Sequence, residues 1–464
     1  MELVLKKISP IPRWAGAEVP PFMREEYAER FAALRAHAAE EAVEYVVVYG
    51  DKLHFGDIDF FTGLQIKWEE ALLVVGPKPG SSSLILGNEM YAGYPDSSPA
   101  RGEFQTIHCP TLSLPGQVRH FDGAGVHTLA QALRKAGLAR GTRVGLIGWK
   151  NGTPGEFAED SSDHYVPEAF VASIREATGS DRIPNLTGIM IDPENGLRTA
   201  NDAHQIAWLE HACTKASNAL ARMIEGLRIG MSETDAAALW GYRGERLSAD
   251  AVVLFGQKRI DIGFATASEK ARLKRGDRVF TGIGYDGAFA TREGRALAYK
   301  DRGMLKGALE RVYFPYFAAL KRWYETVEVG APGAAIYTLM KGLLGDSFAL
   351  NPGHQIDRGA EWTTSPIDRG SPCTLRSGMA LQYDVITLTD AEDGVALADE
   401  ALRREIADRY PVCWSRIRRR RAMLEKELGI HPDESLLPLS NLQARLMPCL
   451  LSPLYAVAAS DEKN

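Results

Sequence analysis

Three short segments in the second half of the chain contain residues that could act together in acid–base chemistry. The segment RGDRVFTGIGYDGAFATREGRALAY, residues 275–299, contains Glu293 next to Arg292. The segment NPGHQID contains His354, and the segment SGMALQYD contains Asp384. A carboxylate binds a cationic group or orients a base, and an imidazole exchanges a proton near neutral pH. These side chains are candidates for one catalytic site if the fold brings their segments together.

The first of these segments predicts a β-hairpin. Asp286-Gly287 is a two-residue turn signal, and extended, partly apolar runs stand on both sides of it. Because side chains alternate along a strand, we expect Phe289, Thr291 and Glu293 to share one face of the returning strand. Two interpretations remain open for that face: a polar pocket within a sheet, or the solvated face of an edge strand.

The elements around these segments predict two domains. Helices and short apolar strands alternate up to about residue 150, which is typical of an α/β domain with a mixed sheet. The composition shifts near Ile191-Asp192-Pro193, so we predict an N-terminal domain over residues 1–193 and a second domain over residues 194–464. A long amphipathic helix should begin after Asn201 or Asp202, either of which is a good N-cap.

Composition restricts the partners and the location. With 464 residues, 45% hydrophobic and 25% charged, the chain resembles an ordinary soluble globular protein, and its net charge of −6 argues against nucleic acid as a partner. No apolar run approaches the roughly 20 residues of a membrane-spanning helix. The five cysteines are scattered and odd in number, as expected for reduced thiols in the cytoplasm.

The order of the motifs resembles the pita-bread superfamily of creatinase, prolidase and aminopeptidase P. The motifs that carry this resemblance run in the same order as in that superfamily: DFFTGL at residues 59–64, LRTANDAHQIAWLEHACTKASNAL at 197–220, GIGYDGAFATREG at 282–294, NPGHQID at 351–357 and SGMALQYD at 377–384. The resemblance implies a smaller α/β domain with a mixed sheet, followed by a pita-bread domain with a curved antiparallel sheet and helices packed outside it.

The metal ligands of the peptidases in that superfamily are mostly missing. The resemblance implies two divalent cations held by two Asp, one His and two Glu. Gly282 and Phe289 stand at or near the positions of the two Asp, while Asp384 and Ala398 stand at those of the two Glu. Only His354 is kept, so we predict a metal-independent protein without a cofactor. A single-metal site formed by His354, Asp384 and Asp399 is the alternative.

Creatinase is a metal-free member of the superfamily, and the comparison with it suggests roles for the remaining residues. Glu293 stands where creatinase has the Glu that binds the substrate guanidinium, and Asp384 matches a further site carboxylate. The stretch DIGFATASEK, residues 261–270, lacks the histidine that creatinase uses as its base, which would stand at Phe264 or Ala265. His354 is therefore the candidate base, and the predicted catalytic set is His354, Glu293 and Asp384.

A negatively charged pocket predicts a small cationic substrate. Buried carboxylates need a matching positive charge, which a guanidinium, amidinium or onium group would provide. Aromatic faces for such a group are predicted at Trp362 and Tyr383, with Phe289 nearby, whereas Arg292 either contacts the substrate or pairs with the carboxylates. The predicted reaction is hydrolysis of a C–N bond. A lyase reaction and a non-catalytic binding protein are the alternatives, and the lost ligands argue against a metal-dependent Xaa-Pro peptidase.

The resemblance also predicts a homodimer, because creatinase-like proteins pair so that the N-terminal domain of one chain closes the pocket of the other. The corresponding loop contains Trp68 next to an apolar stretch, LQIKW. Aromatic side chains are favoured at interfaces for the large area they bury. Trp68 is therefore a predicted contact to the partner's substrate, with packing onto its own sheet as the alternative.

Overall fold

The computed structural model describes residues 2–14, 19, 21–117, 128–152, 163–263, 265–345 and 348–460. The chain divides into two compact units, one formed by Pro20–Arg198 and the other by Met1–Val19 together with Thr199–Asn464. The first residues belong to the larger unit because strand β1 (Leu3–Lys7) pairs antiparallel with the last described strand. Phe264, one of the two positions compared with the creatinase base, lies outside the described residues.

The smaller unit contains the mixed sheet that the sequence predicts. Its strand order is β5-β4-β3-β2-β6, with two parallel pairs, β2 with β6 and β4 with β5, and antiparallel pairs between the others. Apolar side chains of this sheet pack against helices α4 and α5 in one core. The strands are β2 Tyr45–Gly50, β3 Ala71–Val75, β4 Ser82–Leu86, β5 Phe104–His108 and β6 Val144–Ile147. The helices are α1 Arg24–Glu40, α2 Gly56–Thr62, α3 Asn88–Tyr91, α4 Leu129–Lys135, α5 Glu168–Thr178 and α6 Gly188–Ile191.

The larger unit is organised around two sheets. One has the order β7-β8-β9 and the other the order β11-β10-β12-β13-β14, and every neighbouring pair in both is antiparallel. Their strands are β7 Val252–Phe255, β8 Arg278–Tyr285, β9 Ala288–Arg295, β10 Ala349–Asp357, β11 Ala360–Thr364, β12 Ala380–Ile386, β13 Gly394–Leu397 and β14 Leu436–Pro438, with β15 Tyr455–Ala459 pairing with β1.

The predicted hairpin is confirmed as β8 and β9. Asp286 and Gly287 form its turn, and both have the positive φ angles (48° and 88°) that a tight two-residue hairpin turn requires. All side chains of β8 are buried, as are those of β9 up to Gly294. The interpretation of a solvated face is therefore wrong: β9 stands at the edge of the order β7-β8-β9, but its side chains are buried up to Gly294.

The long helix is confirmed as α7, Ala203–Gly226, with Asp202 as its N-cap accepting a hydrogen bond from the Gln205 N–H (2.8 Å). It packs on the hairpin and on the larger sheet, and the main core of the unit forms around its second half. The other helices of this unit are α8 Glu233–Ala238, α9 Gln257–Ile260, α10 Phe314–Tyr324, α11 Gly333–Leu344, α12 Glu400–Arg409 and α13 Pro411–Met423. Among the described residues, no helix is both long enough and apolar enough to cross a membrane.

Candidate functional site

His354 lies in a strand, whereas the resemblance predicted a loop. The whole segment NPGHQID is part of β10, which pairs with β11 on one side and β12 on the other. The pairing with β12 shifts register between Asn351 and His354, where Gly353 has φ 150°. Such a bulge redirects a side chain within a continuous sheet. Gly353, which suggested a loop, therefore forms a bulge within the strand, and the imidazole of the next residue, His354, is fully buried.

Three carboxyl groups face the same nitrogen of His354. Its Nε2 atom lies 3.5 Å from Glu361 Oε1, and 3.9 Å from both Asp384 Oδ2 and Glu392 Oε1. Nε2 is buried and makes no hydrogen bond. The indole of Trp362 stacks on the imidazole, with ring centres 4.1 Å apart and planes 7° apart. Of the predicted site residues, the structure thus brings together His354, Asp384 and Trp362.

Two of the carboxylates that meet at the site come from the segment between β12 and β13. Thr291 of the hairpin fixes this segment, because its hydroxyl donates to Asp390 Oδ2 and accepts from the Glu392 N–H (3.2 Å). The Glu293 N–H also donates to the Asp390 carbonyl oxygen (2.9 Å). The hairpin therefore contributes to the site mainly by holding a neighbouring segment in place.

Gln382 connects two of the carboxylates. It stands directly opposite His354 across the β10–β12 pair. Its Oε1 accepts a hydrogen bond from the Phe289 N–H (3.2 Å), which fixes the orientation of the amide. Its Nε2 then donates to Oε1 of both Glu361 (3.0 Å) and Glu392. Two of the three carboxylate oxygens near His354 are thus held by one buried amide.

Burial dominates the electrostatics of this group. It raises the pKa of Glu361 to about 7 and that of Asp390 to about 7. Burial and the charges of Asp390 and Glu361 raise the pKa of Asp384 to about 8, and burial with its three acidic neighbours raises that of Glu392. Burial lowers the pKa of His354 to about 3, so the imidazole is neutral. In the part of the chain that the structure describes, no Lys or Arg side chain forms an ion pair with these four carboxyl groups.

Glu293, predicted to bind the substrate, is paired inside the protein. Its Oε1 accepts from Arg278 Nε, and both side chains are buried. Arg278 also donates to Gln257 Oε1 (2.8 Å) and to the Leu388 carbonyl oxygen (3.2 Å). Burial raises the pKa of Glu293, and the Arg278 guanidinium opposes that rise. The guanidinium that this position was predicted to bind is thus one from the protein's own β8.

Arg292, predicted as a substrate contact, is a structural residue in this fold. Its side chain is completely buried and donates to Asp393 Oδ2 (2.7 Å). It also donates to the carbonyl oxygens of Glu392 (3.0 Å) and Arg445 (3.1 Å). Because the side chains of β9 are buried up to Gly294, its two faces both meet protein, and a guanidinium there is used to satisfy buried oxygens. Arg292 does form an ion pair, but with Asp393 and not with the predicted site carboxylates Glu293 and Asp384.

The remaining predicted contacts are separated from His354 by packing or belong to the other unit. Tyr383 is fully buried, and its ring packs edge-on against Trp323 (5.2 Å between centres). Alternation along β12 explains this, because neighbours of Gln382 must face the opposite side of the sheet. Phe289 packs in a small apolar cluster with Phe280. Trp68 belongs to the smaller unit, where its side chain is 69% exposed.

The alternative prediction of Asp399 as a metal ligand is wrong, and Glu392 lies near His354 and Asp384 instead. Asp399 is the N-cap of α12 and accepts from the Leu402 N–H (2.9 Å). His354, Asp384 and Glu392 instead offer three ligand atoms that all lie within 4.8 Å of one another. The two-ion centre that the resemblance implies does not fit, because Gly282 and Phe289 provide no ligand from the hairpin.

Sequence reasoning missed four members of the site: Glu361, Gln382, Asp390 and Glu392. One signal was available, since the segment TDAED places three carboxylates within four residues directly after the Asp384 strand. Acidic residues so close to a candidate site residue merit inclusion even when no motif covers them. Glu361 had no comparable signal, because it follows an ordinary turn.

The comparisons with known proteins identify the fold. No model of a known protein family matches the sequence, and no curated protein matches it. Among solved structures, dipeptidase PepE from Mycobacterium ulcerans is similar at TM-score 0.58 and 18% identity, covering 82% of this chain and 95% of that one. A prolidase from Thermococcus sibiricus matches at TM-score 0.60 and 16% identity, over 81% and 95% of the two chains. An X-Pro aminopeptidase from Thermotoga maritima matches at 0.59 and 16%, over 80% and 95%.

These likenesses establish the fold of the chain. Its fold is that of the pita-bread superfamily, with the smaller α/β unit followed by the larger unit that contains His354. The fold expected from the motif order is therefore confirmed. At these identities the likeness establishes the fold alone, and the chemistry must be argued from the residues around His354.

Proposed function

We propose that the chain is a hydrolase that breaks a C–N bond in a small amino-acid derivative bearing a cationic group. The observation that carries this proposal is a group of four carboxyl side chains without a Lys or Arg ion-pair partner among the described residues. Three of them face His354 Nε2, and the charge of the fourth, Asp390, helps to raise the pKa of Asp384. Buried carboxylates are stable only when protonated or matched by positive charge. A guanidinium, amidinium or onium group provides that charge when the substrate binds.

Glu361 and Trp362 are the members of the site that a substrate reaches first. The Glu361 side chain is 22% exposed, whereas those of Asp384 and Glu392 are 9% and 3% exposed. Trp362 is 44% exposed and covers one face of His354. An indole face next to a carboxylate is a suitable receptor for a planar or quaternary cation. We therefore assign to Glu361 the cation contact that the sequence assigned to Glu293, and we keep Trp362 as the aromatic contact without Tyr383.

The reaction requires one proton acceptor and one water molecule. The water oxygen attacks the carbon of the scissile C–N bond while Glu361 accepts a water proton, and the C–N bond then breaks. The same proton passes from Glu361 to the departing nitrogen, so the products are the hydrated carbon fragment and a free amine. His354, predicted as the base, is a neutral, buried imidazole in this site, and Glu361 takes the role of proton acceptor. His354 and Asp384 stay in the proposed functional set as the buried groups next to Glu361.

Metal independence is not part of this proposal. That prediction rested on a shortage of ligands, and Glu361, Asp390 and Glu392 remove the shortage. The substrate cation alone balances one of four potential negative charges, so a further positive charge at the site is compatible with the proposed reaction.

A thermal-shift screen followed by product analysis tests the proposal. Guanidino, amidino and onium derivatives of amino acids are added to the full-length protein, and a ligand at 100 times its Kd should stabilise it by about 2.7 kcal/mol. Stabilising compounds are then incubated in ¹⁸O-labelled water and analysed by mass spectrometry. Hydrolysis introduces ¹⁸O into the product, elimination yields an unsaturated product without the label, and a binding protein leaves the ligand unchanged.

Two variants make the screen specific. Glu361→Gln should abolish turnover because it removes the proton acceptor and keeps the shape of the side chain. Asp399→Asn is the matched control, because this exposed carboxylate caps α12 and Asn caps equally well. Stabilisation by neutral or anionic analogues alone, or full activity of Glu361→Gln, would contradict the proposal.

We further propose a homodimer with a cytoplasmic location. The exposed indole of Trp68 supports the dimer, since a large exposed aromatic side chain is favoured at an interface. The five cysteines are all buried free thiols, which fits a reducing compartment. Light scattering at micromolar concentration should give about twice the 50.9 kDa of one chain, and a value near one chain would refute the dimer.

A further inference from the structure

We infer that His354, Asp384 and Glu392 bind one divalent transition-metal ion through a ligand set different from that of the two-ion peptidases of this fold. The inference rests on the proposed function only in sharing its site, and it adds the positive charge that the substrate does not supply. Glu392 is central to it, because it comes from the segment before β13 and not from any of the peptidase ligand positions.

The spacing of the three ligand atoms is close to that of a metal site. His354 Nε2 lies 3.9 Å from Asp384 Oδ2 and 3.9 Å from Glu392 Oε1, and the three residues offer ligand atoms within 4.8 Å of one another. Ligands about 2.0–2.2 Å from one ion stand roughly 3.0–3.5 Å apart. Enclosing an ion therefore needs a contraction of less than 1 Å between His354 and each carboxylate, together with an approach of the two carboxylates to each other.

The unpaired nitrogen of His354 independently points to a ligand. Nδ1 faces the carbonyl oxygen of Gln355 at 3.5 Å, and a carbonyl oxygen only accepts, so the ring proton belongs on Nδ1. The lone pair of the fully buried Nε2 then faces carboxylate oxygens, which are also acceptors. Lone pairs facing one another in the interior repel unless a proton or a cation lies between them. A metal ion satisfies all of them at once.

The surroundings hold these ligands in position. Gln382 donates to Glu392 Oε1, and its own oxygen is held by the Phe289 N–H at 3.2 Å. The Thr291 hydroxyl accepts from the Glu392 N–H at 3.2 Å. Hydrogen bonds of this kind orient metal ligands and contribute strongly to affinity. One imidazole nitrogen with two carboxylate oxygens suits Zn²⁺, Mn²⁺ or Co²⁺ better than Ca²⁺, which prefers oxygen ligands alone.

Metal titration of the full-length protein tests the inference. The protein is stripped with a chelator, dialysed and titrated with Mn²⁺ followed by electron paramagnetic resonance, and with Co²⁺ followed by its visible absorption. We expect one ion per chain and Co²⁺ bands that indicate nitrogen coordination. Glu392→Gln, which keeps the side-chain shape, and His354→Ala should each weaken binding at least 100-fold. Asp399→Asn, the matched control, should bind as the parent does.

The outcomes separate this inference from the proposed function. No binding at millimolar Mn²⁺ and Co²⁺, two ions per chain, or unchanged binding in Glu392→Gln would overturn the inference. If no ion binds and the protein still hydrolyses a cationic compound, the inference is wrong and the proposed function stands. If one ion binds but no cationic compound is bound or turned over, the metal site stands and the proposed function is wrong.

Discussion

Two sets of buried carboxylates in the larger unit differ in what neutralises them. In the first set every carboxylate is paired with a guanidinium: Glu210 with Arg416 and Arg420, Glu293 with Arg278, and Asp393 with Arg292. The second set consists of Glu361, Asp384, Asp390 and Glu392, and all but Asp390 face a neutral imidazole. Within the described residues no Lys or Arg forms an ion pair with this set. The two sets are adjacent, since Asp390 and Asp393 lie in one short segment.

The presence or absence of a guanidinium partner distinguishes carboxylates that stabilise the fold from carboxylates that are available to a ligand. A buried carboxylate with a guanidinium of its own is satisfied when the chain folds, and removing one partner leaves the other unpaired. A buried carboxylate without such a partner is satisfied only by protons or by a ligand from outside, which is how functional sites differ from the surrounding structure. Burial alone does not make this distinction, because both sets are buried apart from Glu361, whose side chain is 22% exposed.

The largest effect is expected at the paired set. Arg292→Met leaves Asp393 buried without its guanidinium and removes donors from four carbonyl oxygens, so it should lower the free energy of unfolding by about 3–5 kcal/mol. Urea denaturation measures this loss. Adding Asp393→Asn to the same variant should recover part of it, and a loss below 1 kcal/mol in the single variant would contradict the pairing described here.

Replacing a carboxylate by an amide should change the free energy of unfolding in opposite directions in the two sets. Glu293→Gln removes a charge from a satisfied pair and should destabilise the protein by about 1.5–3 kcal/mol. Glu392→Gln, measured in the presence of a chelator, relieves the acidic group and should stabilise the protein by about 1 kcal/mol. Urea denaturation of both variants at neutral pH compares them directly. Equal destabilisation would show that the two sets do not differ.

Gln382 links the acidic set to the hairpin, and its loss should have an intermediate effect. Gln382→Leu leaves the Phe289 N–H without an acceptor and removes the donor to Glu361 and Glu392. We expect a loss of about 1–3 kcal/mol in the free energy of unfolding. Mn²⁺ affinity should fall about 10–100-fold, as for other residues that orient metal ligands. Unchanged Mn²⁺ affinity with reduced stability would limit Gln382 to a packing role.

The smallest effect on stability is expected at Trp362. Trp362→Ala removes the ring stacked on His354 but little buried surface, because the indole is 44% exposed, so we expect a loss of about 0.5–1.5 kcal/mol. The clearer readout is the reaction of His354 with diethylpyrocarbonate, followed by peptide mass spectrometry. Modification should be faster in Trp362→Ala than in the parent, and equal rates would mean that Trp362 does not cover the imidazole.

Local sequence signals were sufficient for the main elements of the fold. Asp286-Gly287 determines a hairpin because few residue pairs tolerate two successive positive φ angles. Asp202 determines the start of α7 because its side chain satisfies a free backbone N–H of the first turn. The motif order was also enough to predict the pita-bread fold, and His354, Asp384 and Trp362 were found as candidates in this way.

The composition of the site depends on the tertiary structure. Glu392 reaches His354 because Thr291 and Arg292, about 100 residues earlier in the chain, hold its segment in place. Glu293 was assigned to the substrate because its position matched a family motif, yet Arg278 lies close enough to pair with it. Whether a buried carboxylate meets a guanidinium is decided by contacts between distant segments. The sequence determined which charges the protein contains, and only the packing of β8, β9 and the segment before β13 decided which of them remain for a ligand.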